Sequence, residues 1–180
     1  GLGGAIVVGG RPVNGAGGVA GEIGHLRAPF GDARCACGNR GCLETTASKL
    51  GIARMLKAEI AAGRRCQVED IARLKSSAVR KAWKKGCPVT RRCVARAGQA
   101  LGWGLAALGI ASDPAVYIIG GGVAEALGRH LLPEVRAGMR AASPFWRTPP
   151  PVLRLAGLGD HAVAIGAAVV SALPAAEVYR

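Results

Sequence analysis

This sequence predicts an α/β layered fold, on three observations. The apolar run Val116–Ile119 leads directly into Gly120-Gly121-Gly122 and then a helical pattern. A weaker strand–glycine–helix order follows Leu155. Along the rest of the chain, short apolar or β-branched runs alternate with segments of helical period. With 180 residues, half of them apolar, and a mean hydropathy of +0.26, a single unit spanning 1–180 can bury a sizeable core. Aromatics make up only 4%, so that core must be built from Ala, Val, Leu and Ile.

The elements follow in order. Ala5–Val8 and Arg11–Val13 flank Gly9-Gly10 and predict a hairpin. A glycine-rich loop runs from Asn14 to Gly24. Thr45, Thr46 or Ser48 caps a helix whose apolar face uses Leu50, Ala53, Met55, Leu56 and Ile60, and Gly63 ends it. Val68–Leu74 and Ser77–Lys85 read as short basic helices, closed by Gly86 and Pro88. A longer helix from Thr90 to Ile110 carries Val94, Ala97, Leu101, Leu105 and Leu108 at helical spacing, making 45–111 a basic helical segment. Asp113-Pro114 stops it. Val116–Ile119 suits a buried strand, and a helix from Ala124 to Arg140 follows. Pro149–Pro151 predicts a stiff connector into the strand Val152–Leu155, and His161–Leu173 a helix of small residues beyond the Gly157 and Gly159 turn.

Charge and targeting narrow the classes. No apolar run reaches the roughly 18 residues of a membrane helix, and no secretory signal is present. A cytoplasmic protein is expected. The chain starts at Gly1 without methionine, inside a strand, so a preceding N-terminal portion is expected too. The formal charge is +13; between Arg54 and Arg96, thirteen Lys or Arg stand against Glu59, Glu69 and Asp70, a net of +10. Such a stretch can attract polyanions, but only Trp83 interleaves with it and no helix-turn-helix pattern is evident. A solvated helical face is the favoured reading. A homo-oligomer, a dimer, is expected, with the apolar helix Thr90–Ile110 as the candidate face.

The chemistry concentrates in Gly21–Glu44. It holds His25, Cys35, Cys37 and Cys42, with spacing His-x₉-Cys-x-Cys-x₄-Cys, in a chain with only three His and six Cys. Cys35-x-Cys37 cannot readily close on itself, and three cysteines leave one unpaired. In a reducing compartment clustered cysteines bind metal, and a Cys₃His set suits tetrahedral zinc. Gly38 and Gly41 let the loop fold back. Cys66, Cys87 and Cys93 stand singly and read as ordinary thiols, while His130 and His161 read as a helix-surface residue and part of a helix N-terminal turn. Glu22 and Glu44 lie beside the metal-type residues, where rigidly held carboxylates suit hydroxyl donors such as those of a sugar. An exposed glutamate is, equally, often just solvated.

Glu22-Ile23-Gly24-His25, followed by Cys-x-Cys-Gly-x-x-Gly-Cys-x-Glu from Cys35 to Glu44, resembles the double signature of the ROK family of bacterial sugar kinases, sugar-responsive repressors and uncharacterised relatives. The similarity extends through Gly3–Val7, GAGGVAGEIGH, VYIIGGGVAEAL and LGDHAVAIGAA, nearly the whole chain. It implies an actin-like (ribonuclease H-like) ATPase fold, of which this chain matches most of the larger C-terminal domain. It implies His25, Cys35, Cys37 and Cys42 as ligands of a structural Zn²⁺, and Glu22, His25 and Glu44 as holders of a hexose. Gly1, Gly3 and Gly4 match the end of a phosphate-binding hairpin, and Gly120, Gly121 and Gly122 a turn against the adenosine of ATP, with Mg²⁺ on the phosphates. The family's catalytic aspartate lies upstream of Gly1. Asp113 reads as a helix stop and Asp160 as a helix cap, and neither replaces it. The resemblance thus points to a glucokinase-like domain inactive by itself. A sugar-sensing repressor, whose upstream domain would bind DNA, is the alternative, and a zinc-stabilised fragment without activity is the third reading.

Overall fold

The computed structural model describes residues 1–143 and 151–172. Strands β1 (Ile6–Val8) and β2 (Arg11–Val13) form the expected antiparallel hairpin, Ile6 opposite Val13. A single 3₁₀ turn, Ile23–His25, opens the cysteine loop, which ends in the short helix α1 (Glu44–Ala47). Ser48, in extended conformation, caps α2 (Lys49–Ala61) by accepting the Gly51 N–H at 3.1 Å. Then come α3 (Ser76–Lys84), the long α4 (Pro88–Ser112), β3 (Val116–Ile119), α5 (Gly122–Leu127), α6 (Leu132–Ala142), β4 (Val152–Leu155) and α7 (Ala162–Ser171). β3 and β4 pair in parallel, Val116 opposite Val152.

Helix α4 organises the core. Val94, Ala97, Leu101 and Leu105 are buried along it, packed with Ile52 and Leu56 of α2 and with Val135 and Met139 of α6. Full burial of a side chain such as Ile52, Leu56 or Val135 contributes about 1.5–3 kcal/mol. Because α4 spends its apolar stripe inside the chain, that stripe is not free to form the dimer face expected of it. Asp113 ends α4 in the left-handed conformation (φ 36°), the helix stop anticipated for it. The Tyr117 hydroxyl ties β3 to α4 by donating to the Leu105 carbonyl at 2.8 Å.

Several sequence expectations are corrected. Residues 68–74 do not form the expected short helix, although Val68, Ile71 and Leu74 are buried at a helix-like three-residue spacing. Asp70 Oδ1 accepts the Arg73 N–H at 3.0 Å, a local side-chain bond that competes with helical pairing. The helix predicted over Ala124–Arg140 is broken: α5 ends at Gly128 in positive φ, and α6 restarts with Pro133 in its first turn. On α2, Leu50 is 66% exposed and Ile60 also faces outward. The face that packs is Ile52 and Leu56, with Ala53 and Met55 half-buried. Strand β3 alternates: Tyr117 and Ile119 are buried, whereas Ile118 is 68% exposed. Asp160 makes no capping bond to the 3₁₀ turn or helix that follows. Pro149 and Pro150 of the predicted connector, and Leu173 at the end of the predicted last helix, lie outside the described residues.

Helix α7 is apolar all round, yet none of its residues is buried, and Val163 is 83% exposed. Among the described residues nothing covers it.

Candidate active site and metal centre

The loop from Gly21 to Glu44 is a miniature antiparallel structure. Arg27 faces Cys42 and Arg34 faces Arg40 across it. The Cys35 N–H donates to the Asn39 carbonyl at 2.8 Å, and the Leu43 N–H to the Leu26 carbonyl at 2.8 Å. Gly38 and Gly41 adopt φ of 93° and 73°, a region that side chains with a Cβ rarely enter, and there the chain turns back to bring Cys42 toward Cys37. Leu43, fully buried with Ala28 and Ala100, anchors the loop to α4. Half-buried Phe30 and Trp103 flank this small core edge to face, centroids 6.3 Å apart.

His25, Cys35, Cys37 and Cys42 each bring one ligand atom within 4.8 Å of all the others. Cys35 Sγ is 3.7 Å from His25 Nδ1, and Cys37 Sγ is 3.6 Å from Cys42 Sγ. A tetrahedron with metal–sulfur bonds of about 2.3 Å has edges of about 3.8 Å, close to these two separations. The cluster can hold a metal ion, and its three thiols and one imidazole suit a soft, tetrahedral one.

The carboxylates sit where the sequence places them, one on each side. The Cys35 thiol donates to Glu44 Oε1 at 2.9 Å; that bond pushes the Cys35 pKa up to about 12 and draws Glu44 below its usual range. The Asn39 amide brings exposed Cys37 down to about 7, whereas burial raises Cys42. His25 faces the cysteines with Nδ1 and keeps Nε2 for the other side, 3.9 Å from Glu22 Oε2. Both Glu22 and His25 are open to solvent.

Glu44 reaches further. Its Oε2 accepts the Leu2 N–H at 3.3 Å, which lays the Gly1–Gly4 segment against the metal-type cluster. Gly24, of the Glu-x-Gly-His motif, is the other half of this junction: a methyl there would collide with the Leu2 carbonyl. Gly1, Gly3 and Gly4 then line a cavity of about 1380 Å³, which Gly120, Gly121 and Gly122 also line. The glycines at 1, 3 and 4 and at 120–122 thus share one cavity, and Glu44 touches its edge through the Leu2 amide, whereas Glu22 stands outside it beside His25. Sequence reasoning missed Lys49 and Ser76, which line the same cavity beside the capping residue Ser48. No motif marks them; they are brought there by the α1–α2 junction and by α3, whose Ser76 abuts Gly122.

The remaining cysteines lie apart from the cluster. Cys66 Sγ is 3.8 Å from Thr90 Oγ1. Burial pushes Cys87 up, but hydrogen bonds from the Thr90 hydroxyl and from the Thr90 and Gln67 amides outweigh it, leaving a pKa of about 7. Burial raises Cys93 to about 11. His130 is exposed beside Trp83, and His161 closes the turn before α7.

The mixed α/β chain has an actin-like ATPase fold. The chain belongs to the ROK family, whose family model matches residues 1–172. It is 34% identical to a glucokinase of Halalkalibacterium halodurans, over 92% of this chain and 52% of that protein. It is 31% identical to a xylose repressor of Caldicellulosiruptor bescii, over 92% of this chain and 42% of the repressor. The ROK family glucokinase from Streptomyces griseus, crystallised with glucose and AMPPNP, superposes with a TM-score of 0.82 at 31% identity, over 94% of this chain and 57% of that one. The chain spans about half the length of the curated relatives it matches.

Proposed function

We propose that this chain is the larger, C-terminal lobe of an ATP-dependent hexose kinase of glucokinase type. The observation that carries this reading is the double engagement of Glu44, whose Oε1 meets Cys35 and whose Oε2 meets the Leu2 amide. One carboxylate thereby joins the metal-type cluster to the glycine segment that lines the cavity. A hexose held there by Glu22, His25 and Glu44 lies next to wherever that glycine segment holds a phosphate chain.

Each residue's part follows from its chemistry. Glu22 and Glu44 accept hydrogen bonds from sugar hydroxyls, and a charged acceptor binds them about twice as strongly as a neutral one. His25 offers Nε2 to the sugar while Nδ1 belongs to the cluster. His25, Cys35, Cys37 and Cys42 would hold a zinc ion, which when bound would make the loop rigid. With Cys35 present as a thiolate it has no proton to donate, and Glu44 keeps Oε1 for a hydroxyl. Glycines at 1, 3 and 4 and at 120–122 let backbone N–H groups and the flat adenosine approach closely. Mg²⁺ supplies countercharge on the phosphates. Phosphoryl transfer asks mainly for this positioning and charge neutralisation. The base that takes the hydroxyl proton lies outside this chain. Asp113 lines the cavity but serves as the cap of α4. The uncovered α7 is the kind of surface a second lobe would cover.

A repressor reading is favoured by the xylose repressor relative and by the net +10 of residues 54–96. Against it, the Gly120–Gly122 turn is intact, and a protein that only senses sugar has less need of an adenosine pocket. The test is a coupled ADP-release assay on the full-length protein with glucose and other hexoses, beside an operator-binding assay. Sugar-dependent ATP turnover is expected, and none from residues 1–180 alone. Full-length protein that binds sugar and DNA but turns over no ATP establishes the repressor reading instead.

A further inference from the structure

We propose that Lys49 binds the terminal phosphates of the nucleoside triphosphate, an inference that rests on the kinase reading above. Among the described residues lining the cavity, Lys49 is the one cationic side chain and Asp113 the one anionic side chain. The rest of the wall is glycine, serine, apolar residues and Tyr117, whose hydroxyl is bound to the Leu105 carbonyl. Such a wall can donate backbone N–H groups and pack against a nucleoside, but it provides no countercharge for a polyphosphate. Lys49 provides it.

The place of Lys49 in the fold selects which part of the nucleotide it meets. The Ser48 N–H donates to the Glu44 carbonyl at 3.3 Å, so Lys49 follows directly on the turn that carries Glu44. The Glu44 carboxylate in turn holds the Leu2 amide at 3.3 Å, and Lys49 lines the same cavity as Leu2 and Gly1, Gly3 and Gly4, the segment that in the kinase reading brings phosphate and sugar together. The phosphate nearest the sugar is the terminal one.

Two further features fit an anion beside Lys49. Its ammonium is exposed and has no ion-pair partner among the described residues, unlike Arg64 and Arg92, which share Glu59. It is also the first residue of α2, a helix with no acidic residue in its first turn. A cation there faces the positive end of the helix dipole, so the position is unfavourable until an anion arrives.

The experiment is calorimetric titration of AMPPNP and of AMP into the full-length protein, wild type, Lys49→Met and Lys49→Arg, with a glucose titration of each as control. Loss of one charge-assisted contact at an open site should weaken AMPPNP roughly tenfold in Lys49→Met and leave AMP within about twofold. Lys49→Arg, which keeps the charge, should recover most of the loss. The salt dependence of AMPPNP binding should be shallower in Lys49→Met than in wild type. AMPPNP binding to Lys49→Met within twofold of wild type overturns the inference and leaves the kinase reading standing. Equal weakening of AMP and AMPPNP overturns it as well, since Lys49 would then support the pocket's shape and not the phosphates. Wild-type protein that binds glucose but no AMPPNP overturns the kinase reading itself, and this inference with it.

Discussion

The carboxylate of Glu44 accepts the backbone N–H of Leu2 at 3.3 Å, across 42 residues of sequence. This contact makes one site out of two motifs. Without it the cysteine loop is a metal-type knuckle and Gly1–Gly4 a segment beside a cavity. With it, the Glu44 carboxylate and the Gly1–Gly4 backbone are held in fixed relation, as the proposed sugar and phosphate sites require. On its other oxygen the same carboxylate accepts from the Cys35 thiol at 2.9 Å, so the cysteine loop and this junction meet at one residue.

Metal removal should therefore loosen the site as well as the loop. Ordering the glycine-rich stretch costs roughly 1–2 kcal/mol per residue in backbone entropy, which a closed Cys₃His zinc site offsets with about 10 kcal/mol or more of apparent binding energy. Elemental analysis of the full-length protein should find close to one zinc per chain, and a chelator should lower both its melting temperature and its hexose affinity. Metal-free protein with an unchanged melt would contradict a structural zinc.

Glu22→Gln and Cys37→Ser should fail differently. Glu22 is exposed, so the glutamine variant should melt and hold zinc like wild type. It exchanges a charged acceptor for a neutral one, and a loss of about 1.5–3 kcal/mol weakens hexose binding roughly ten- to a hundredfold. In Cys37→Ser, zinc content and melting temperature should fall first and sugar affinity only as a consequence. Normal hexose binding by Glu22→Gln would make Glu22 a solvated loop residue.

Leu43→Ala tests the anchor. Leu43 is fully buried between two site residues, Cys42 and Glu44. Truncation of a buried leucine costs about 2–5 kcal/mol, read as a lower melting temperature and urea midpoint. Because the cavity opens directly beneath the loop, zinc affinity and hexose affinity should both drop. If stability falls while both affinities hold, the loop is positioned by its own hydrogen bonds and not by this small core.

Acid should weaken the packing of α2 against α4 through Glu59. Its carboxylate accepts from Arg92 Nη2 at 2.7 Å and from Arg64 Nε at 2.6 Å, and these bonds lower its pKa below the ordinary 4.5. A depressed folded-state pKa contributes stability above the unfolded value, and that contribution is lost as pH falls through the folded one. Glu59→Gln should thus be slightly less stable than wild type at pH 7, with the gap closing below about pH 4. Thermal melts at a series of pH values read it directly; a gap that is the same at pH 3 as at pH 7 removes the ion pairs as its cause.

What the sequence alone determined was local in origin. The His-x₉-Cys-x-Cys-x₄-Cys spacing, the glycines that reverse the loop, the hairpin, a cap among Thr45, Thr46 and Ser48, and the strand followed by three glycines all concern residues a few positions apart. There, backbone conformation and ligand reach decide the outcome. Period alone was less reliable: it placed a helix at 68–74, where Val68, Ile71 and Leu74 are buried on an irregular backbone, because burial at three-residue spacing is not unique to a helix. Which surfaces meet was decided only by the tertiary structure. The Leu2–Glu44 bond, Lys49 in the cavity wall and the Cys66–Thr90–Cys87 grouping all join segments whose separation carries no local energetic signature. An exposed lysine at the start of a helix looks the same in sequence whether it faces water or a glycine-lined cavity, and only the packing of α1, α2 and the Gly1–Gly4 segment distinguishes the two.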